Sequence, residues 1–237
     1  MRLGAPRTGE ASASLLRALL VLALCASGRA TAAEEAGRGP AIYEICGACH
    51  GPSAGGIESL AAPPLAGRES WYLLRQLRNF STGVRGGKAD AEAEEMRQIL
   101  ATVPAESDWK DIVDFVRGMP GASRSPSASS GDVARGERLF VTCAACHGAH
   151  AEGNEALDAP ALAGLPPWYL GRQLQKFRAG TRGSAAQDAP SARMRAAAAV
   201  LGSDGDIAAV SAYIGAMTPA AVPTAPKQAS GATATHP

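Results

Sequence analysis

The sequence has few aromatic residues, a small net charge and no strand-like pattern. Phe, Trp and Tyr make up 5% of its 237 residues, which leaves little large apolar surface for the core of a small domain. The formal net charge is +1, and the lack of a basic stripe with interleaved aromatic residues argues against nucleic-acid binding. No segment alternates apolar and polar residues with a period of two, so we predict an all-α fold.

Long apolar segments are also missing. The longest apolar stretch lies within Leu15–Leu24 and is too short to span a bilayer comfortably. It follows a positively charged segment and precedes small residues, which is the pattern of a secretory signal peptide. We therefore expect residues 1–32 to be a signal peptide, cleaved after Ala30 or Ala32. Acylation of Cys25 is disfavoured because a bulky leucine precedes it. The expected location is the periplasm, either free or membrane-associated.

Four of the five cysteines belong to two copies of one pentapeptide pattern. The copies are Cys46-Gly-Ala-Cys49-His50 and Cys143-Ala-Ala-Cys146-His147. C-x-x-C-H is the attachment signature of c-type haem, in which two thiols add to the vinyl groups of one porphyrin and the adjacent histidine is an axial ligand of the iron. The sequence therefore predicts two covalently bound haem c groups and, as their use, electron transfer.

A dithiol redox centre or a zinc site would also use cysteine pairs. The redox motif is expected once, beside a βαβ pattern, and no such pattern is visible. A zinc site would have to join two segments about a hundred residues apart, each inside its own repeat. Once Cys25 is removed with the signal peptide, every cysteine belongs to a haem motif and none remains for a disulfide bond.

The chain is a tandem duplication. The second motif follows the first at an offset of 97 residues, and many other residues match at that offset. Matching pairs include Tyr43 and Phe140, Pro63 and Pro160, Trp71 and Trp168, Gln76 and Gln173, Phe80 and Phe177, and Arg85 and Arg182. After one inserted residue the offset becomes 98, and Met96 matches Met194.

This duplication sets the domain organisation. We predict one domain at residues 33–119 and a second at 131–217, joined by a Ser/Pro-rich linker at 120–130 and followed by a disordered tail at 218–237. Each domain is small for a self-sufficient hydrophobic core, and a buried porphyrin would supply the missing apolar centre. We therefore expect folding to depend on haem attachment.

Apolar residues at helical spacing predict the secondary structure of both domains. The predicted helices are Gly39–Cys46, Gly136–Cys143, Ser70–Phe80, Asp108–Arg117 and Asp206–Ile214. Ser70 is interpreted as the capping residue of its helix. The segments that carry Met96 and Met194 are interpreted as loops before the last helix of each domain.

A haem used for electron transfer usually has Met or His as its second axial ligand. Of the two histidines outside the motifs, one lies three residues past the second motif and the other lies in the tail, so methionine is the better candidate. Met96 and Met194 precede the last helix, where a thioether can swing over the iron. Met119 and Met217 follow that helix and suit packing at its end. We therefore predict Met96 and Met194 as the ligands.

Both domains resemble class I cytochromes c, and their tandem arrangement resembles the two-haem cytochrome c4 family of exported bacterial electron carriers. The resemblance covers about Gly39–Met217 and rests on the haem motifs, a Pro-x-Leu-Ala-Gly segment after each motif, a Trp-Tyr-Leu helix and a methionine before the last helix. It implies a tandem pair of class I cytochrome c domains. It also implies that the backbone carbonyls of Pro63 and Pro160 accept hydrogen bonds from the rings of His50 and His147.

The resemblance further implies a periplasmic cytochrome that carries electrons by outer-sphere transfer between a respiratory donor and a terminal oxidase or reductase. Its partners would be redox proteins, soluble or membrane-bound, with no nucleic acid and no small-molecule substrate at the iron. Two alternatives stay open: the haem subunit of a dehydrogenase complex, and a dihaem peroxidase with one open iron. The peroxidase needs a vacant distal site with acid–base groups. The paired methionines argue against it, so we predict a carrier and no enzyme.

Charge is distributed unevenly along the chain. Residues 31–122 carry a net charge of −4 and residues 123–237 a net charge of +2. Three glutamates within residues 92–95 lie beside Met96, where they form either a solvated helix face or a docking patch. Our hypothesis is that this asymmetry orients the protein between its donor and acceptor by electrostatic steering. Association rates with a cognate partner that do not depend on salt would contradict it.

Overall fold

The protein has two helical domains with the same order of helices, and the first helix of each domain carries the haem motif. The computed structural model describes residues 38–103, 105–119 and 131–218. The helices of the first domain are α1 Gly39–His50, α2 Ser70–Ser81, α3 Ala91–Leu100 and α4 Glu106–Arg117. Those of the second are α5 Val133–His147, α6 Pro167–Ala179, α7 Ala189–Ala198 and α8 Asp204–Gly215. A short 3-10 turn follows each motif, at Glu58–Leu60 and Glu155–Leu157.

The predicted all-α fold is confirmed. In the described part of the chain, β structure is limited to two isolated bridges, Ile57–Ala62 and Asn154–Ala159. No helix in the same ranges has the length and apolar character needed to cross a bilayer. The expectations for the signal peptide, the linker and the tail beyond Thr218 fall on residues outside these ranges.

Both haem motifs are helical, so the first helix of each domain is longer than the sequence predicts. Helix α1 continues through the motif and ends at Gly51, which has φ +80° and donates its N–H to the carbonyl of Gly47 at 2.9 Å. Helix α5 ends in the same way at Gly148, with φ +82° and a bond of 3.0 Å to Ala144. A glycine adopts this positive φ without strain, which explains a glycine directly after each motif histidine.

Met96 and Met194 lie on helices α3 and α7, so the interpretation of these segments as loops is wrong. Asp90 and Asp188 start the two helices, and each carboxylate accepts the backbone N–H three residues on, at 3.2 Å. Such a cap stabilises a helix start. Each helix buries only two residues, so it lacks the apolar stripe by which a helix is found in a sequence.

The start of α2 also differs from its predicted form. Glu69, and not Ser70, occupies the N-cap position, and no side chain caps the helix there. The Glu69 carboxylate instead accepts the backbone N–H of Ala161 in the second domain at 2.5 Å. The Ser70 hydroxyl is buried and has no hydrogen-bond partner within the described residues. Tertiary contact has therefore displaced the local cap.

Helix α1 packs across α4, and α5 across α8, with a glycine at each crossing. A Cβ atom at Gly39 would lie 2.3 Å from the carbonyl oxygen of Asp111, and one at Gly136 would lie 2.1 Å from that of Ala209. Any larger residue would force the two helices apart. Aromatic pairs flank the crossings, with ring centroids 5.6 Å apart in Tyr43–Phe115 and 5.5 Å apart in Phe140–Tyr213.

The last helix of each domain contributes more large apolar side chains to the core than any other helix of that domain. The buried residues of α4 include Trp109, Ile112, Val113 and Val116, and those of α8 include Ile207, Val210 and Ile214. The apolar faces predicted for these helices are therefore confirmed. Side chains from α1 or α5 and from α2 or α6 pack against them and leave the motif at the edge of the core.

Polar side chains on and just after α2 and α6 join the two domains. Arg85 donates to the side-chain oxygens of Gln76 and Gln173, at 2.8 and 3.1 Å. Arg182 donates to the same two oxygens, at 3.2 Å for Gln76 and 2.7 Å for Gln173. Because these residues correspond in the two repeats, the duplication appears at the interface as an approximate twofold arrangement.

Candidate functional site

Each haem motif presents both thiols and its imidazole on one side of a helix. Residues at i, i+3 and i+4 share a helix face, and the two cysteines and the histidine have this spacing. The first thiol of each motif, at Cys46 and Cys143, packs against the apolar core. The second thiol is nearer the surface, half-buried at Cys49 and exposed at Cys146.

The motif imidazoles are buried and each is held by a backbone carbonyl. His50 is 7% exposed and His147 is 4% exposed. Nδ1 of His50 lies 2.7 Å from the carbonyl oxygen of Pro63, and Nδ1 of His147 lies 2.8 Å from that of Pro160. Because a carbonyl only accepts, each Nδ1 must carry the hydrogen, which leaves a free lone pair on Nε2. This is the tautomer that binds a metal through Nε2.

Burial keeps these rings neutral. It lowers the pKa of His50 and of His147 below the ordinary value of 6.5, although the bond to the proline carbonyl raises the pKa in each case. A neutral imidazole is the form that coordinates a metal. Burial also raises the pKa of the Cys46 and Cys143 thiols, so both stay protonated near neutral pH.

The sulfur of Met194 faces the second motif histidine. Its Sδ lies 3.5 Å from Nε2 of His147. With the hydrogen on Nδ1, neither Nε2 nor a thioether sulfur has a proton to donate, so this approach is not a hydrogen bond. Nε2 and Sδ are both atoms that can bind a metal, and the fold brings them close together. Met96 is half-buried against the core of the first domain, at the equivalent place on α3.

The other methionine pair has a different setting. Met119 and Met217 are half-buried two residues beyond the ends of α4 and α8 and pack against the apolar cores. Their backbone N–H groups donate to Val116 and Ile214 in the closing turn of these helices. This matches the packing role considered for them in the sequence.

Two arginines at the interface, Arg85 half-buried and Arg182 buried, form no ion pair with a carboxylate among the described residues. Arg85 and Arg182 lie over the rings of Phe80 and Phe177, at 4.6 and 4.5 Å from the ring centroids. Their hydrogen bonds go to amide oxygens and, for Arg182, to the hydroxyl of Tyr72. Neither Nε has a partner among the described residues. Burial of a guanidinium group is costly unless an anion compensates it. A cofactor that brings carboxylates, as haem does with its propionates, would supply such an anion.

The first domain has one hydrogen bond beside its histidine that the second lacks. The Tyr43 hydroxyl donates to the carbonyl of Gly51, the residue after His50, at 2.6 Å, and burial raises the pKa of Tyr43 to about 12. The matching residue in the second domain is Phe140, which has no hydroxyl.

We expect Tyr43→Phe to lower the free energy of unfolding by about 1 kcal/mol at pH 7, the usual net value of one hydrogen bond. Because the folded-state pKa lies above the ordinary value of 10, the wild type should lose stability as pH rises from 10 through about 12, and the variant should lose less. Guanidinium chloride unfolding at pH 7 and pH 11 measures both effects. Phe140→Tyr is the matched control. Equal alkaline losses in wild type and Tyr43→Phe would contradict this account.

Two of the three glutamates beside Met96 are engaged within the molecule. Glu92 forms ion pairs with Arg172 and Lys176 of α6, at 2.7 and 2.6 Å. Glu94 bonds to Arg97 and accepts the N–H of Gly87, and the bond to Arg97 lowers the pKa of Glu94 to about 2. The cluster therefore offers less free negative charge for docking than the sequence suggests.

Sequence reasoning missed the aspartates that start the methionine helices. Asp90 and Asp188 are both buried, and they match at the repeat offset of 98. An aspartate repeated at matching places in both copies, and followed directly by alanine in each, is a helix-start signal. That signal was present and would have predicted α3 and α7.

Each of the two helical domains has a pair of thiols and a buried imidazole with a free Nε2. These features define the class of c-type cytochromes with two haems. Comparison with known proteins agrees. The family model described as Cytochrome c matches residues 36–120 and 133–218. Cytochrome c4 of Azotobacter vinelandii is 33% identical over 207 residues, which are 82% of this chain and 95% of that protein.

Two further relatives extend the comparison. The thiosulfate dehydrogenase electron acceptor of Stutzerimonas stutzeri is 34% identical over 175 residues, 68% of this chain and 78% of that protein. The crystal structure of reduced recombinant cytochrome c4 from Pseudomonas stutzeri has a TM-score of 0.61 and 29% identity, and covers 76% of this chain and 96% of that one. The chain belongs to the cytochrome c family, among the two-haem cytochromes c4. It binds two covalent haem c groups and functions in electron transfer.

Proposed function

We propose that the protein is an exported carrier that passes electrons by outer-sphere transfer from a respiratory donor protein to a terminal oxidase or reductase. The observation that carries the proposal is the opposed pair of His147 Nε2 and Met194 Sδ, 3.5 Å apart. If protein atoms occupy both axial positions, no substrate can bind the metal. The chemistry is then limited to electron exchange through the edge of the cofactor.

The residues divide into three roles under this proposal. Cys46, Cys49, Cys143 and Cys146 would hold the two haems covalently. His50 and Met96 would bind the iron in the first domain, and His147 and Met194 would bind it in the second. The carbonyls of Pro63 and Pro160 orient the imidazoles. The cofactor, when bound, supplies an iron that gains and loses one electron, with a potential raised by methionine ligation.

The protein's own contribution is rigidity and the exclusion of water. Each imidazole has one orientation because its Nδ1–H is bound to a carbonyl, and such a partner also strengthens the donor character of Nε2. The buried apolar faces of α4 and α8 keep solvent out of the core of each domain. We propose that Arg85 and Arg182 neutralise the charge of the haem propionates, since their hydrogen-bond partners are neutral.

A second candidate is a stable partner of a dehydrogenase. It is supported by the 34% identity to the thiosulfate dehydrogenase electron acceptor, of which this chain covers 78%. Its internal chemistry is the same as that of the carrier, and only the bound donor differs. Purification from the native membrane and soluble fractions separates the two: a dehydrogenase that co-purifies at constant stoichiometry favours the second candidate.

The absorption spectrum of the ferric holoprotein tests the proposal. We expect two haems per chain by pyridine haemochrome assay, low-spin iron and the long-wavelength methionine–iron band at an intensity that corresponds to both haems. We also expect negligible turnover of hydrogen peroxide. A high-spin spectrum, or a band from one haem only, would mean an open iron and would favour the peroxidase over the carrier.

A further inference from the structure

Each methionine helix begins at a buried aspartate. Asp90 and Asp188 are 4% and 7% exposed, and each accepts one backbone N–H of the helix that it starts. Helices α3 and α7 have ten residues each, a length at which an isolated helix is marginal in water. Their position therefore depends on the contacts that hold their ends.

The second contact of each aspartate comes from the other domain. Nζ of Lys176, on α6, lies 2.5 Å from Oδ1 of Asp90. Nδ2 of Asn79, on α2, donates to Oδ2 of Asp188 at 3.0 Å. Asn79 and Lys176 correspond in the two repeats, as do the two aspartates. The duplication has thus produced two equivalent contacts across the interface, one from a charged ammonium group and one from an uncharged amide.

The ionic contact is the more extensive of the two. Lys176 also binds Glu92 in the first turn of α3, and Arg172 of α6 binds the other oxygen of that carboxylate. The side chain of Lys176 is 15% exposed and that of Asp90 is 2% exposed. Two cations of the second domain therefore hold the start of α3, whereas one amide of the first domain holds the start of α7.

We infer that each methionine ligand is positioned by the neighbouring domain, Met96 through Lys176 and Met194 through Asn79. The inference rests on the proposed methionine ligation. It makes the two sites interdependent. Packing of the second domain stabilises α3 of the first through Lys176, and packing of the first domain stabilises α7 of the second through the weaker bond from Asn79. Lys176 and Asn79 act as positioning residues and touch no proposed ligand.

The chemistry of the two contacts predicts unequal effects. Loss of the Lys176 ammonium would leave the buried Asp90 carboxylate without its cation, and an uncompensated buried charge is strongly destabilising. One oxygen of this carboxylate already has no partner in the described part of the chain. Loss of the Asn79 amide removes one bond that Asp188 accepts, and the expected effect is smaller.

Displacement of methionine by imidazole in the ferric holoprotein tests the inference. In a Met194→Ala background the methionine–iron band reports Met96, and in a Met96→Ala background it reports Met194. We expect Lys176→Met to accelerate loss of the Met96 band about tenfold or more, with less than about a twofold change at Met194. Asn79→Leu should affect the other site: we expect loss of the Met194 band to be about threefold faster and loss of the Met96 band to be unchanged.

Two controls separate positioning from general loosening. Lys110→Met removes an exposed ion pair with Asp114 inside the first domain and should leave both rates unchanged. Lys176→Met combined with Asp90→Asn should return the Met96 rate towards the parent, because asparagine still caps the helix and the buried charge is gone. The double variant also covers the case in which Lys176→Met alone folds poorly.

The failure of this inference and the failure of the proposed ligation give different results. If Lys176→Met accelerates both methionines equally, or neither, the cross-domain positioning is wrong. If the Met194→Ala background shows no methionine–iron band before any interface residue is changed, the ligation of Met96 is wrong instead. Lys176→Arg is expected to preserve the parent rate of loss of the Met96 band, since the ammonium is replaced by another cation.

Discussion

Replacement of Met194 by alanine is expected to remove about half of the methionine–iron band and to lower one of the two reduction potentials. The thioether raises a haem potential relative to other ligands. Because axial ligands set haem potentials over a range of about 0.8 V, we expect a decrease on the order of 0.2 V or more at the second haem. Potentiometric titration followed by absorbance measures both quantities. The first haem should change little.

Met217→Ala is the matched control for that substitution. Met217 packs against the apolar core of the second domain, so its truncation should cost on the order of 2 kcal/mol in stability without change in the band or the potential. Met96→Ala and Met119→Ala form the same comparison in the first domain. The ligand assignment is wrong if the band disappears with Met217 or Met119 and persists without Met194 or Met96.

Replacement of both Cys143 and Cys146 by serine is expected to unfold the second domain. The variant should hold one haem per chain and lose about half of the far-ultraviolet helical signal, since α5 to α8 contain about half of the helical residues. The physical reason is that a core with few aromatic residues in a domain of this size depends on the porphyrin for its apolar centre. Circular dichroism of the exported protein, with a pyridine haemochrome count, measures both.

The equivalent exchange at Cys46 and Cys49 provides the comparison for the first domain. It should remove the other haem and a similar share of helicity. Because Asp90 and Arg182 meet partners across the interface, each single-haem protein should also be less stable in its remaining domain. Full native helicity in either variant would contradict the dependence of folding on haem attachment.

Local chemistry accounts for the parts of the fold that sequence reasoning predicted well. The motif Cys-x-x-Cys-His acts through covalent spacing, so it predicts its cofactor without any tertiary information. The apolar faces of α4 and α8 repeat with helical period because they are buried along their length. Helices α3 and α7 bury two residues each, and their period is correspondingly weak. They were missed although Asp90 and Asp188 precede them.

The sequence by itself determined the cofactor, the helical class and the motif histidines, because these depend on residue spacing over a few turns, and it determined the duplication because matching residues recur at one offset. Only the tertiary structure decided which partners the interface residues have. Glu92 pairs with cations of α6, Glu69 accepts the N–H of Ala161 instead of capping its own helix, and Lys176 contacts the start of the helix that carries Met96. Such contacts join residues eighty or more positions apart. They depend on how two domains pack, and no local pattern encodes that packing.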